Sequence, residues 1–483
     1  MRHCHWSFVC ASMLLLVQFP AWAQETSPLN PPLVLTDPSN TYPLGRQVDV
    51  LEDQTKGLTI QDVSTGAAAA RFRPHTSDSF NFGLGESVYW FRFRLRNESR
   101  TNTEWLLETS NPRLNHVTAY LVRDGQPVRH WSSGNAVPYS EWPVDFRNPS
   151  FRFRLRYEAE TTCYLRVENN GAFRFALTLF SEQAFYRHTM RIEIAWGVFY
   201  GALVSMMLYN AVLIVSLRDR TYFYYLLLIV AFLFYQTSMN GTAYQWFWPT
   251  SSWWADRSIV FFFGIVFFFG ILFSRSFLEL SRHFPTVDKA LVGFMIVCLA
   301  VSIGGLGSHF IANLIAHVIA MVGPVAVMVI AGKRWAMGYR PARVVVLAWF
   351  ALTAGAFATA LVSFRILPQT NTTEYSVPFG FTVALLLFAL ALADRIRMVE
   401  REYNTMLSKT VEERTQELSV ARQDIKTLAE LLPICSSCKK IRDDSGYWNQ
   451  LESYLLEHSD IEFSHGICPD CAKQLYPEHY REI

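Results

Sequence analysis

IEIAWGVFYGALVSMMLYNAVLIVSLRDRTYFYYLLLIVAFLFYQTSM, residues 192–239, decides the fold class. It holds two apolar runs, about 194–217 and 222–239, parted by a short charged break at Arg218-Asp219-Arg220. Each run approaches the roughly twenty residues an α-helix needs to cross a bilayer. Five more runs follow at about 259–279, 290–308, 310–332, 344–364 and 377–393, the second and third of these separated only by the turn 305–309. The reading is a seven-helix transmembrane bundle within about 189–397.

Charge gives an independent test. If the chain enters from outside, the inner loops are 218–221, 280–289, 333–343 and 394 onward. They carry Arg218, Arg220, Arg282, Lys289, Lys333, Arg334, Arg340, Arg343, Arg395 and Arg397. The outer loops 240–258, 305–309 and 365–376 carry only Arg257 and Arg365. That is the positive-inside pattern. The N-terminus agrees with it. Arg2, the apolar stretch Phe8–Phe19 and the small-x-small site Ala21-Trp22-Ala23 read as a secretory signal over 1–23. The expectation is a multi-pass membrane protein, its N-terminal domain facing the periplasm or the exterior and its C-terminus cytoplasmic. Composition concurs: 51% of the 483 residues are hydrophobic and 17% charged, and a net charge of +2 offers nothing to nucleic acid.

Residues 24–188 read as all-β. Phe-Arg-Phe-Arg-Leu-Arg occurs at Phe91–Arg96 and again at Phe151–Arg156. Alternation puts Phe91, Phe93, Leu95, Phe151, Phe153 and Leu155 on inner faces and the arginines on outer ones. Glu104–Thr109, His116–Val122, Tyr164–Glu168 and Phe173–Phe180 are further strands, and together they suggest a sandwich. The arginine rows read first as a solvated face and second as a site for an anionic or sugar ligand. Trp90, Trp131 and Trp142 read first as packing and second as sugar-stacking rings. Cys163 stands alone in this segment, and Cys298 lies in an apolar run as a buried small hydrophobe.

The spans hold almost no acid. Glu193 and Asp394 sit at span ends, and His317 is the one clear ionisable residue at depth, read as an interhelical hydrogen-bonding group. That scarcity counts against a transporter. Neither H-E-x-x-H nor G-x-S-x-G occurs.

After the last span comes a charged stretch free of Gly and Pro. Leu407, Val411, Leu418, Ala421, Ile425, Leu428 and Leu432 recur at 3-4 spacing, broken by Arg414. This predicts a coiled-coil linker over 398–432, and hence a homodimer. Pro433 stops it. Residues 433–483 contain Cys435-x2-Cys438 and Cys468-x2-Cys471, 29 residues apart. In a reducing cytosol four paired thiols read as a tetrahedral zinc site in a small α+β module, with an iron site or a redox dithiol as alternatives. Rubredoxin-type iron sites place Gly after each second Cys, where this chain has Lys439 and Ala472. A turn at Ser445-Gly446 followed by a helix carrying Trp448, Leu451, Tyr454 and Leu455 on one face is expected between the pairs. His458 and His465 are spare, and four protein ligands leave no open position for catalysis.

Several stretches resemble the bacterial seven-transmembrane receptors with diverse intracellular signalling modules, in the branch with the second type of extracellular domain. They are SVYWFRFRLRN (87–97), WLLETSNPRLNHVTAYL (105–121), YLRVENNGAFRFALTLFSEQAF (164–185), YGALVSMMLYNAVLIVSLRDRTYFYY (200–225) and NGTAYQWFWP (240–249). The resemblance implies a jelly-roll-like periplasmic sandwich related to carbohydrate-binding modules, sensing a ligand and passing a signal to a cytoplasmic output. VEERTQEL (411–418) resembles linkers that precede kinase or cyclase domains, yet about fifty residues remain and no such enzyme fits. The tail resembles a C-terminal module of bacterial response regulators and sensors. The chain is therefore expected to be a non-enzymatic receptor whose metal-stapled tail contacts a cytoplasmic signalling protein. A thiol or metal redox sensor is the competing expectation.

Overall fold

The computed structural model describes residues 30–36, 41–84, 87–123, 126–169, 172–307, 309–363, 366–367, 373, 375–429 and 432–478. The expected signal sequence lies outside them.

Thirteen strands among the described residues build the N-terminal domain: β1 Leu33–Leu35, β2 Thr41–Pro43, β3 Asp49–Asp53, β4 Arg73–Pro74, β5 Phe80–Leu84, β6 Val88–Asn97, β7 Glu104–Thr109, β8 His116–Arg123, β9 Gln126–Ser133, β10 Ser150–Arg154, β11 Glu160–Glu168, β12 Ala172–Phe175 and β13 Leu177–Ser181. One sheet runs β4-β3-β6-β11-β8-β9 with β1 added beside β6; the other runs β10-β7-β13-β2. Both copies of the hexapeptide feed one core. Phe91, Phe93 and Leu95 of β6, Phe151 and Phe153 of β10, and Leu155 just after it are all buried in the cluster between the sheets. Alternation on two strands supplies those inner faces, so period 2 and burial agree.

The outer face of β6 departs from the expected solvated row. Leu51, Val88, Trp90 and Tyr164 form a second cluster there, roofed by Ile60, Val63, Ala68 and Phe72. The roof is held by the helix Ile60–Ser64, whose Thr59 and Asp62 cap one another's backbone N–H groups. Beneath it Arg92 is buried. It bonds Asp49 at 3.2 and 3.3 Å, donates to the Ala69 carbonyl at 3.2 Å, and lies 4.3 Å from the Phe72 ring centroid. The single strand expected over Phe173–Phe180 is two. It breaks at Ala176, whose N–H donates to Ser110 Oγ at 2.8 Å, so that β12 pairs with β5 and β13 with β7.

Seven helices among the described residues are long and apolar enough to cross a membrane. They are Glu182–Leu217, Arg220–Met239, Ser252–Phe277, Pro285–Gly304, His309–Ala336, Ala342–Ser363 and Ser376–Ala429, called here the first to seventh spans. Six match the hydropathy runs within several residues at their N-terminal ends. The first starts about three turns before the membrane-length run, at the residue after β13. Ser181 caps it, its Oγ accepting from Ala184 N–H at 3.3 Å. Aromatic faces and close small-residue contacts hold the bundle. Phe232 stacks on Phe381 at 3.8 Å, and a Cβ at Gly264 would collide with Ser302 Oγ and the Cys298 carbonyl. Cys163 and Cys298 are buried. The side chain of His317 lies outside the described residues.

Residues from Arg395 form a separate unit. The helix that contains the seventh span continues through the linker without interruption to Ala429. Further on, β14 (Ile441–Arg442) and β15 (Trp448–Asn449) make a hairpin, followed by the helices Leu451–His458 and Pro469–Leu475. Trp448 lies in the hairpin, not on the helix expected to carry it.

Arg92→Met should leave Asp49 buried and unpaired, lowering stability by about 3–5 kcal/mol. The check is thermal unfolding of the purified full chain, in which Arg92→Met/Asp49→Leu together should recover much of the loss.

Candidate functional site

Three places carry the residues singled out above: the faces of the β domain, its junction with the helices, and the cysteine tail.

On the β domain most of the arginines in the two rows are committed. Arg94 reaches Glu160 at 3.5 Å and donates to the Asn30 carbonyl at 2.7 Å; Arg96 pairs with Glu98 at 3.0 Å. Arg152 bonds Glu104 at 2.8 Å and Glu182, the first residue of the first span, at 2.9 Å. Trp90 is buried under the roof. Trp142 is buried at the junction, its indole N–H donating to the Val137 carbonyl at 3.1 Å. Trp131 is half-buried at a sheet edge.

The junction was not legible in advance. The loop between the second and third spans folds up against the β domain. Tyr244 donates to the Val137 carbonyl at 2.7 Å, and the Tyr139 N–H donates to the Pro249 carbonyl at 2.7 Å. Val137, Trp142, Tyr244 and Ala255 share one buried cluster. Gly241 explains how the backbones approach. Its φ is +82°, and a Cβ there would lie 2.8 Å from Pro112 Cβ and 3.0 Å from the Arg147 carbonyl. Only glycine satisfies both conditions without strain.

Arg147 sits at the centre of this contact, 5% exposed. Its guanidinium lies 5.5 Å from the Trp196 ring of the first span, with the Glu193 carboxylate 3.6 Å from Nη1. Nη1 makes no hydrogen bond among the described residues. Burial pulls its pKa down, against the pull of Glu193. Beside it His188 approaches buried Glu108 at 3.4 Å and stacks on Phe180 at 4.8 Å. Phe180, Phe185, Phe146 and Leu106 join β13, β7 and the first span into one apolar cluster. On another side Asn81 donates to the Val362 carbonyl of the sixth span at 3.3 Å. A polar, aromatic loop reads as ordinary in sequence. The signal that could have found it was the Gly-Thr-Ala-Tyr string after a span end.

Residues 192–395 match the family described as 7TM diverse intracellular signalling, and residues 45–181 match the domain described as 7TMR-DISM extracellular 2. The chain belongs to the 7TMR-DISM family of signalling receptors. Residues 182–191, which the two matches leave out, are those that carry β13 into the first span. No curated protein matches the chain.

In this receptor's tail, Cys435 and Cys438 form a tight turn. Cys438 N–H donates to Cys435 Sγ at 3.5 Å, Cys435 N–H to the Lys440 carbonyl at 2.8 Å, and Lys439 N–H to the Cys435 carbonyl at 3.0 Å. Lys439 has φ +59°, a left-handed conformation at the position where rubredoxin-type sites carry Gly. The N–H of Cys438, then that of Ser437, holds the Cys435 thiol below the usual range; Cys471 N–H does the same for Cys468, which caps the helix Pro469–Leu475. Main-chain hydrogen bonds thus shape each pair locally. The two pairs are not gathered: among the described residues no group of three or more His, Cys, Asp or Glu is placed to hold a metal ion. Ile441 is the one fully buried hydrophobic residue among those described from 432 to 478.

Gly241→Ala should cost about 1–2 kcal/mol at this junction from its left-handed φ alone. Hydrogen exchange on the full chain should then rise at 137–147 and 240–247 while β6 and β11 stay protected.

Proposed function

We propose that this protein is a ligand-sensing receptor whose N-terminal domain lies on the extracytoplasmic side. A ligand on the β domain would bias the helices through the docked junction, and the seventh-span helix would carry the change to a non-enzymatic tail that contacts a signalling partner. The observation that carries this reading is the passage from β13 into the first span at Ser181 without a linker. A domain merely tethered to a membrane needs no such continuity. The buried cluster on the loop after the second span gives the β domain a second hold on the bundle.

Exposure along the helix marks the output end. Leu407, Val411, Leu418 and Ile425 are all exposed along the helix, 49% to 70% of each side chain's residue surface open. A second copy laid in parallel would cover them as a coiled-coil seam. The tail's scarcity of buried apolar residues is the condition in which a metal staple decides folding. Cys435, Cys438, Cys468 and Cys471 would hold that metal, zinc rather than iron, and its contribution would be structural.

A redox reading has one observation behind it. Cys435 and Cys468 have lowered thiol pKa values, and Cys438, Cys468 and Cys471 are exposed.

Replacing residues 30–181 with an unrelated periplasmic domain should abolish the transcriptional response of the host cell; a response left unchanged would sink the receptor reading. Leu418→Cys in a chain otherwise free of exposed cysteines should crosslink copy to copy in membranes, whereas a scan of 403–425 yielding no crosslink would dispose of the coiled coil. Purified full chain should hold about one zinc, lost in Cys435→Ser and Cys468→Ser alike. A metal-free chain whose thiols pair under mild oxidant would favour the redox reading.

A further inference from the structure

The β domain's two sheets end, on one side, in the edge strands β9 and β10. There the sandwich is open. β9 pairs with β8 so that Trp131 stands opposite Ala119 and Arg129 opposite Leu121, both members of the inter-sheet core. Arg129 therefore occupies an inward position, where alternation calls for an apolar side chain. Its guanidinium carbon lies 5.0 Å from the Trp131 ring centroid, and that ring contacts Phe153 of β10 across the opening, centroids 5.6 Å apart.

The opening is a concavity of about 130 Å³, lined by Arg123, Arg129, Arg154, Trp131, Val128 and Thr161 among others. That is room enough for one anionic group. Two features of its lining bear on what it could hold. First, its cations are unmatched. Arg46, Arg92, Arg94, Arg96, Arg152 and Arg166 each meet a carboxylate. Arg123, Arg129 and Arg154 meet none among the described residues. Glu104, opposite Arg154 on β7, is bonded to Arg152. Asp124 lies outside the described residues. Second, Thr161 is 2% exposed and its hydroxyl has no hydrogen-bond partner, although it lines the concavity. A buried hydroxyl left without a partner costs stability and marks a place where a partner is expected.

We propose that this edge is the receptor's ligand site and that it takes the carboxylate or sulfate of an acidic saccharide. Guanidinium groups without internal partners bind oxyanions through paired, charge-assisted hydrogen bonds. Trp131 and Val128, which is 60% exposed, offer the apolar surface on which the C–H face of a sugar ring rests. Oxyanion and ring together match an acidic sugar better than a neutral sugar or a bare ion. The site rests on the receptor reading for its role in the cell, but its binding is measurable without any signalling output.

Calorimetry on the full chain in nanodiscs tests it with three probes: trigalacturonate, its methyl ester, and inorganic sulfate. Trigalacturonate should bind saturably and more weakly as salt rises. The ester, which keeps the rings and loses the charges, should bind at least about tenfold less tightly, and sulfate should also be the weaker ligand. Arg129→Gln and Arg154→Gln should each weaken trigalacturonate about tenfold or more, while Arg152→Gln, whose cation is already paired, leaves it unchanged. Thr161→Val should weaken binding without lowering the melting temperature, a result that a packing role would not give. Equal affinity for acid and ester, indifference to Arg129→Gln and Arg154→Gln in a folded chain, or no saturable binding would each overturn the site. Sulfate binding as tightly as the saccharide would overturn the sugar assignment. If binding behaves as stated but Arg129→Gln leaves the cellular response unaltered, the site stands and the receptor reading falls. If domain replacement abolishes the response while no probe binds, the site alone falls.

Discussion

The rest of the upper structure depends on one covalent constraint: Ser181 ends the last strand of the β domain and caps the first spanning helix. A residue that is at once strand end and helix cap leaves no linker between the two bodies. Strand direction then sets helix direction, and the first turn of the helix must pack where β13 delivers it. The Phe180–Phe185–Phe146 cluster and the Arg152–Glu182 ion pair answer that requirement. A linker of even a few glycines at this point would uncouple them.

One hold of this kind permits pivoting; two oppose it. The loop after the second span supplies the second, and its chemistry is suited to a contact that changes state. Arg147 is buried among aromatic rings with a carboxylate near but not in hydrogen-bond reach, and Glu108 has an oxygen without a donor beside His188. Buried charges held by near misses are costly where they stand and gain from small displacements. A sensor has use for such an interface, because a modest change at the β domain can be repaid by a different pairing at the helices.

At the other end of the chain the constraint is smallness. The tail folds its hairpin and helices around a single buried hydrophobic residue among those described. The main-chain turn at Cys435–Cys438 is nonetheless well made, with Lys439 accepting a left-handed φ so that the Cys438 N–H can address the Cys435 sulfur. Local hydrogen bonds shape each cysteine pair. What brings pair to pair is a different force, and the physical candidates are a metal ion or a partner surface.

The seven spans, the two hexapeptide strands, the continuous linker helix and the cysteine turns were all readable from the chain alone. Each is a local property: hydropathy over twenty residues, alternation over six, 3-4 spacing, or a four-residue turn. The first span's early start was not, because residues 182–193 are largely polar and lie outside the apolar run. The roof over Arg92 was hidden for a related reason. Alternation tells which side chains share a face, but not whether another segment will cover it. Trp448 shows the same limit: its spacing suited a helix, and the hairpin closed by Asp443 claimed it instead. Sequence by itself thus determined the class, the order of parts and the number of spans, since these follow from local free energies. Only the tertiary structure decided which arginines are spent on carboxylates, which remain free at the β9–β10 edge, and how the β domain grips the bundle. Those outcomes depend on contacts between residues tens to hundreds of positions apart, which no local pattern encodes.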